Sequence, residues 1–456
     1  MPIIKKLVFT FFLILPIIYA QEKSETIKVV GDSLIGKILN GESIREIYGN
    51  VVLTQGNIII TCDKAVQYLI RNEARLYGSV IAKQDSLTIT TSEGFYFGNE
   101  RRTKSTTGII LDDQKVILEA DTGEYFFNEK RAFFQTNVTL SDSVMVLFSD
   151  ELNYYQKENR AIAVGSVKIV DASNEITADT LEHFRTTKIS FAYGNVKIRS
   201  LENNTLIFGN HLEDYPKQKY TVVDENPMLM QFDTTYTASN KIEVDTMIII
   251  ANLMEALRDT SNIFKAIDSV KIVRGDFASI NDFTLYFRNR DIIITQKSSD
   301  EAQQPVIWYE NSQLTGDSIT IYLKDKRITR LDVINNSFML SQSKIYKDRY
   351  DQNSSKDINL FFTKNKLKRA RLSGSVFSIY YLYEEDEPNG LTKSSAKEVT
   401  IIFEDNKVSE VRLYGSPTSE YYPEKKVAGN EKAFTLPKFI FYKNRPTKLK
   451  LLRDKQ

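Results

Sequence analysis

The sequence predicts an all-β chain, elongated and built of about twelve stacked, similar layers. Three observations predict it. An outline returns at a fixed spacing, apolar residues alternate at period two inside each return, and turn residues separate the alternating runs.

The outline is anchored on a short motif: "GNV" at Gly49, "GSV" at Gly78, "TGI" at Thr107, "TNV" at Thr136, "GSV" at Gly165 and "GNV" at Gly194, each step being 29 residues. Positions two and four after each anchor read Val51/Leu53, Val80/Ala82, Ile109/Leu111, Val138/Leu140, Val167/Ile169 and Val196/Ile198. Positions nine, eleven and thirteen read Ile58/Ile60/Cys62, Leu87/Ile89/Thr91, Val116/Leu118/Ala120, Met145/Leu147/Ser149 and Asn174/Ile176/Ala178. More polar residues fill the places between, which is the pattern of a half-buried strand. Turn residues such as Gln55-Gly56-Asn57 part the two strands of a unit.

Before the repeats, residues 1–20 read "MPIIKKLVFTFFLILPIIYA": two lysines, a short apolar run and a small residue before Gln21. This predicts a cleaved secretory signal peptide, because a spanning helix needs about 20 apolar residues. An uncleaved anchor is the alternative. The exported chain then has one cysteine, Cys62, which cannot form an internal disulfide, so stability has to come from the core.

The regular array is expected over 21–213, looser β units over 214–305, and a second array over 306–456. Later copies are "KIEVDTMIII" (Asp245), "IDSVKIV" (Ile267), "GDSITIYLKDKRITRLDV" (Gly316), "KDINLFFTKNKLKRARL" (Lys356) and "KEVTIIFEDNKVSEVRL" (Lys397). "PKFIFYKNRPTKLKLL" from Pro437 reads as a degenerate last copy, and Asn252–Phe264 is the one stretch with some helical patterning.

With 60 Lys+Arg against 59 Asp+Glu, no global charge steers the chain to nucleic acid. An Asp recurs fourteen residues after most anchors (Asp63, Asp121, Asp150, Asp179, then Asp245, Asp282 and Asp317), with Ser92 and Phe208 breaking the row. One carboxylate per layer at a strand end is a corner residue accepting backbone N–H bonds rather than acid–base machinery. The aromatics after it, such as Tyr68, Tyr96/Phe97, Tyr125/Phe126, Tyr154/Tyr155 and Phe184, read as packing. His183 and His211 lack metal-ligand spacing, Cys62 reads as a small inward residue, and no catalytic motif, metal site or cofactor site is expected. The basic runs at 364–372 and 443–453 read as solvated faces, with lipid phosphate or an anionic membrane as the alternative partner.

The position-eleven column (Ile60, Ile89, Leu118, Leu147, Ile176) is uniformly aliphatic. It is either the filled core of a closed solenoid, the commoner fate of an apolar face, or a continuous rail in an open groove. A lipid chain on such a rail would gain about 0.8 kcal/mol per buried CH₂.

"GNVVLTQGNIIITCDKAV", with recurrent "GSV/GNV…TAD…Y", resembles the OstA/LptA-like family of periplasmic lipopolysaccharide transport proteins. The resemblance is strong over 48–200 and traceable to about 450. It implies a semi-open antiparallel β-jellyroll, the β-taco, whose apolar groove shields lipid A acyl chains. It implies as partners lipopolysaccharide, other transport components at the inner and outer membranes, and end-to-end stacking of strands. The groove residues it implies are Val51, Leu53, Ile58, Ile60, Val80, Leu87, Ile89, Ile109, Leu111, Val116, Leu118, Val138, Leu140, Met145, Leu147, Val167, Ile169 and Ile176. The chain is longer than the small bridge protein of that family. It also lacks the barrel and cysteines of the outer-membrane member. Such a protein is a carrier and not an enzyme. The rivals are an exported polysaccharide-cleaving β-solenoid, which calls for Asp, Arg and Lys clustered on one face, and a purely structural assembly scaffold.

Overall fold

A computed structural model describes residues 25–201, 204–236, 242–325, 327–364, 366–404 and 407–453. The expected leader at 1–20 lies outside the described residues. Thirty-two strands are defined among them, and their pairings are antiparallel. The chain divides into two compact units. One holds the residues up to Lys115 with Asp121–Lys130, and the other holds Val116–Ala120 with the residues from Arg131 onward.

In the first unit each 29-residue repeat is two long strands joined by tight turns. Glu42–Gln55 pairs with Ile58–Tyr68, which pairs with Glu73–Gln84, which pairs with Leu87–Phe97. Two strands per repeat return equivalent strands in the same direction, so a direct period and antiparallel pairing coexist.

Apart from Thr107, which lies between the strands Arg102–Ser105 and Ile109–Asp112, the anchors are corners inside strands, not turns between them. The register slips between Tyr48 and Val51 and between Tyr77 and Val80 in the first unit. It slips likewise between Val164 and Val167 and between Tyr193 and Val196 in the second. At each slip two successive residues are left-handed: Gly49 (φ +70°) and Asn50 (+46°), Gly78 (+71°) and Ser79 (+45°), Gly165 (+76°) and Ser166 (+46°). Such a bulge bends the strand and sharpens its twist. Each strand thereby runs along one inner wall, turns the corner and continues along another.

The recurrent Asp sits over that corner. Asp63 lies against Gly78, fifteen residues on, and Asp150 and Asp179 lie against Gly165 and Gly194 in the same way. The Asp179 carboxylate accepts the Asn195 side-chain amide at 2.9 Å, and Asp317 accepts that of Asn336 at 3.0 Å. Side-chain amides therefore hold these corner carboxylates, and a backbone N–H does so at Asp357 (Asn335 N–H, 3.1 Å). At Thr107 the same place is taken by Ser92, whose hydroxyl donates to Thr107 at 3.0 Å. A Cβ on Gly78 would strike the Asp63 carboxylate in addition to straining a left-handed backbone. Gly78→Ala is therefore expected to cost about 1–2 kcal/mol, read as a lowered melting temperature. A variant melting like the parent would mean that the corner is not built this way.

Two expectations fail. Asn252–Phe264 is not helical: Leu253–Leu257 is a strand paired with Tyr220–Asp224 and with the following strand Ile263–Arg274. The sheet edges on both sides outweigh a weak local preference. The segment from Pro437 is not a last copy of the repeat. Pro437 and Pro446 cannot donate to a ladder, and residues 423–453 run as a strap with short helices at Glu424–Val427 and Lys448–Arg453.

The strap covers the outer face of the sheet in the second unit. Leu229 and Ile249 point inward to Phe264 and Ala266. Their neighbours Met228 and Ile248 point outward and, with Trp308, meet Tyr442 and Leu451. Further along, Phe338, Leu340, Tyr381 and Leu391 meet Val427, Leu436, Phe439 and Phe441. Two buried glutamines clip the strap as a neighbouring strand would. Gln352 donates to the Phe434 carbonyl (3.0 Å) and accepts from the Leu436 N–H (2.8 Å). Gln313 does the same with the Ile440 carbonyl (2.8 Å) and the Tyr442 N–H (2.9 Å). Arg349, 4% exposed, forks onto Glu424 and reaches Glu431.

Candidate ligand-binding interior

The interior is lined by cross-strand rows. In the first unit Leu53, Ile60, Ala82, Ile89 and Leu111 are successive direct partners. All nine first-unit residues expected at a groove (Val51, Leu53, Ile58, Ile60, Val80, Leu87, Ile89, Ile109 and Leu111) are at most 3% exposed. The small Ala65 and Ala74 and the larger Leu76, Tyr96, Tyr125 and Phe127 are equally buried. This interior is packed.

In the second unit one row runs without interruption from Leu118 through Leu140, Leu147, Ile169, Ile176, Ile198, Ile207, Leu229, Ile249 and Ile272. Among the expected residues Val116, Leu118, Val138, Leu140, Leu147, Val167 and Ile169 are buried, while Met145 and Ile176 are half-buried. Ile198 and Ile207 are half-buried too, so the row reaches solvent over three consecutive strands before closing again at Leu229.

The same row continues through Ser279, Ile307, Leu314 and Met339 and then changes chemistry. Its last four positions are Asn353, Ser378, Ser394 and Ser419. Here the interior widens into a cavity of about 1080 Å³. One wall is this polar row, with Tyr380 and Thr392 beside it. The other carries Leu367, Phe403, Val408, Val411 and Leu413. Ser378 and Tyr380 both donate to the Asn353 side-chain amide oxygen Oδ1, at 2.8 and 2.9 Å, and Ser394 bonds Ser419 at 3.1 Å. Asp351 lines the cavity and accepts the Tyr381 N–H at 2.9 Å; burial pushes its carboxyl up to about 7.

Sequence reasoning missed this cavity. Its signal was present: in "VFSIYYLY" and "LTKSS" hydroxyl residues hold the inward places where earlier repeats carry aliphatics. The residues singled out elsewhere have structural surroundings. His183 is buried against Ser190 at 2.9 Å, and burial lowers its pKa to about 4. His211 bonds Asp224 at 2.8 Å and stacks on Tyr193. Cys62 is buried, its thiol pushed up to about 11 by that burial. Tyr96, Tyr125 and Tyr154 are core, whereas Tyr68, Phe97 and Tyr155 carry the guanidinium groups of Arg71, Arg102 and Arg160 on their rings. Among the described residues no group of three or more His, Cys, Asp or Glu is placed to hold a metal ion, and no helix is long and apolar enough to cross a membrane.

The OstA-like protein family matches the chain twice, over residues 26–135 and 114–208. The matched residues, 26–208, include every corner anchor from Gly49 to Gly194 and every residue of the expected groove. Among solved structures the chain is similar to the crystal structure of LptH from Pseudomonas aeruginosa, the LptA homologous periplasmic component of the conserved lipopolysaccharide transport device. That match has 15% identity, covers 37% of this chain and 83% of LptH, and has a TM-score of 0.13. No curated protein matches the chain.

Proposed function

We propose that this chain is a periplasmic lipopolysaccharide-binding transport protein, which shields lipid A acyl chains along its inward aliphatic row during export to the outer membrane. The observation that carries the reading is the row itself, in the stretch matched by the OstA-like family, where Leu118 to Ile198 are successive cross-strand partners and the later members, Ile176 and Ile198, are only half-buried. Neighbouring sites of like chemistry let an acyl chain shift by one strand at little cost, as a conduit needs. Lipopolysaccharide is the cargo, and transport components at the two membranes are the partners, meeting the chain by stacking of strands.

A photo-crosslinker at Ile198 should capture lipopolysaccharide, and one at Lys197, exposed on the opposite strand face, should not. Equal capture from both positions, or from neither in folded protein, would sink the reading. The packed interior around Ile60 and Ile89 favours a second role for the first unit, that of a structural scaffold which holds no lipid.

A further inference from the structure

We propose that the wide cavity of the second unit is a binding site for uncharged amphiphiles, holding an alkyl chain on its apolar wall and a hydroxyl- or amide-bearing group on the Asn353–Ser378–Ser394–Ser419 row. The proposal stands on the cavity alone and holds whether or not Ile198 meets lipopolysaccharide.

The volume is the first argument. About 1080 Å³ is at the upper end of ordinary ligand pockets. The second is the division of the walls. Leu413 is the cross-strand partner of Val399, Val411 of Ile401 and Val408 of Phe403, so one wall is an apolar strip of three pairs across two strands. Val411 and Val408 are 36% and 43% exposed although they face inward, an apolar surface that gains by accepting a chain. The facing row is polar at four successive strands, and a purely hydrocarbon ligand would dehydrate it without using its remaining hydrogen-bonding capacity.

Proton positions decide the headgroup. Ser378 and Tyr380 both spend their O–H on the Asn353 side-chain amide oxygen Oδ1, so toward the cavity they present lone pairs. Charge points the same way even without Asp351. The cavity is lined by Glu310, Glu385 and Asp386 against Lys344 and Arg349, and Arg349 is committed to Glu424 and Glu431. An acceptor-rich, net-acidic wall repels a phosphate and welcomes a group that donates, such as a sugar hydroxyl or an amide N–H. The aliphatic row therefore ends in a station of different selectivity from the rest of its length.

The probes are dodecyl maltoside and dodecyl phosphate, which share one alkyl chain, each titrated below its micelle concentration into the whole protein by calorimetry. Dodecyl maltoside is expected to bind about tenfold more tightly or better. Ser378→Ala with Ser394→Ala should weaken it about tenfold by removing two hydrogen-bonding groups, and Phe403→Ala should weaken both probes alike. Melting curves of each variant establish that it is folded; if the serine pair is not, Thr392→Val replaces it. Equal or tighter binding of dodecyl phosphate, binding indifferent to the polar-row and Phe403 variants, or no binding of either probe would overturn the proposal. Capture of lipopolysaccharide at Ile198 alongside any of these results would leave the transport reading intact and remove only this site.

Discussion

Leu118→Asp is expected to abolish cooperative melting of the second unit near the parent's temperature. Leu118 has no exposed surface and is the direct partner of Leu140, itself fully buried. Losing the leucine side chain alone costs about 2–5 kcal/mol. An unpaired carboxylate in the same place costs several more unless it stays protonated. Together these approach the whole stability of a typical domain, about 5–15 kcal/mol. Circular dichroism on heating checks it, with Glu119→Lys as the control, because Glu119 is exposed on the opposite face. The effect should fade along the row: Ile198→Asp, at a half-buried position, should leave the protein folded. A Leu118→Asp protein that melts like the parent would mean that the interior at this strand is open to water.

Arg349→Ala is expected to release the strap. The guanidinium is 4% exposed and holds two carboxylates of the strap, Glu424 at 2.6 Å and Glu431 at 3.2 Å. Removing one side of a buried pair leaves the other uncompensated, at a cost of about 3 kcal/mol or more. Protease cleavage between Lys425 and Arg445 should accelerate by about a hundredfold, the equivalent of that free energy, while the strands beneath stay folded. The parent should show the same loosening in acid. The Arg349 hydrogen bond holds Glu424 below the ordinary carboxylate range. The pair thus contributes in full above about pH 4.3 and loses its contribution as pH falls through the lowered value. Unchanged proteolysis in both cases would mean that the glutamine clips and apolar contacts hold the strap unaided.

The layers were legible in the sequence because their corners are demanding. Two successive left-handed residues admit few side chains, so Gly-Asn and Gly-Ser recur at Gly49, Gly78, Gly165 and Gly194 and announce the period. The inward rows were legible for the same reason, since period-two alternation survives every corner. Their reading as strands separated by turns placed the elements well and missed that the anchor lies inside a strand. The strap was not legible. It touches the sheet through Gln313, Gln352, Phe439 and Leu451, whose spacing follows the strands it crosses and not any period of its own. The cavity was hidden by ambiguity: an inward serine looks like an outward one until the register of Ser378 against Asn353 and Ser394 is known.

The strap has a consequence for the order of events at birth. It is synthesised after every strand that it covers, and it binds strands far apart in the chain, from Met228 to Leu391. As the chain is made those strands can pair with one another in turn, because each needs only its neighbour. The outward residues Met228, Ile248, Trp308 and Leu340 stay uncovered until Leu451 has been made. The interval between sheet formation and strap closure is when this protein is stickiest. A chaperone that binds apolar sheet faces would be needed then, and a ribosome stalled before residue 423 would release a sheet that is paired but insoluble.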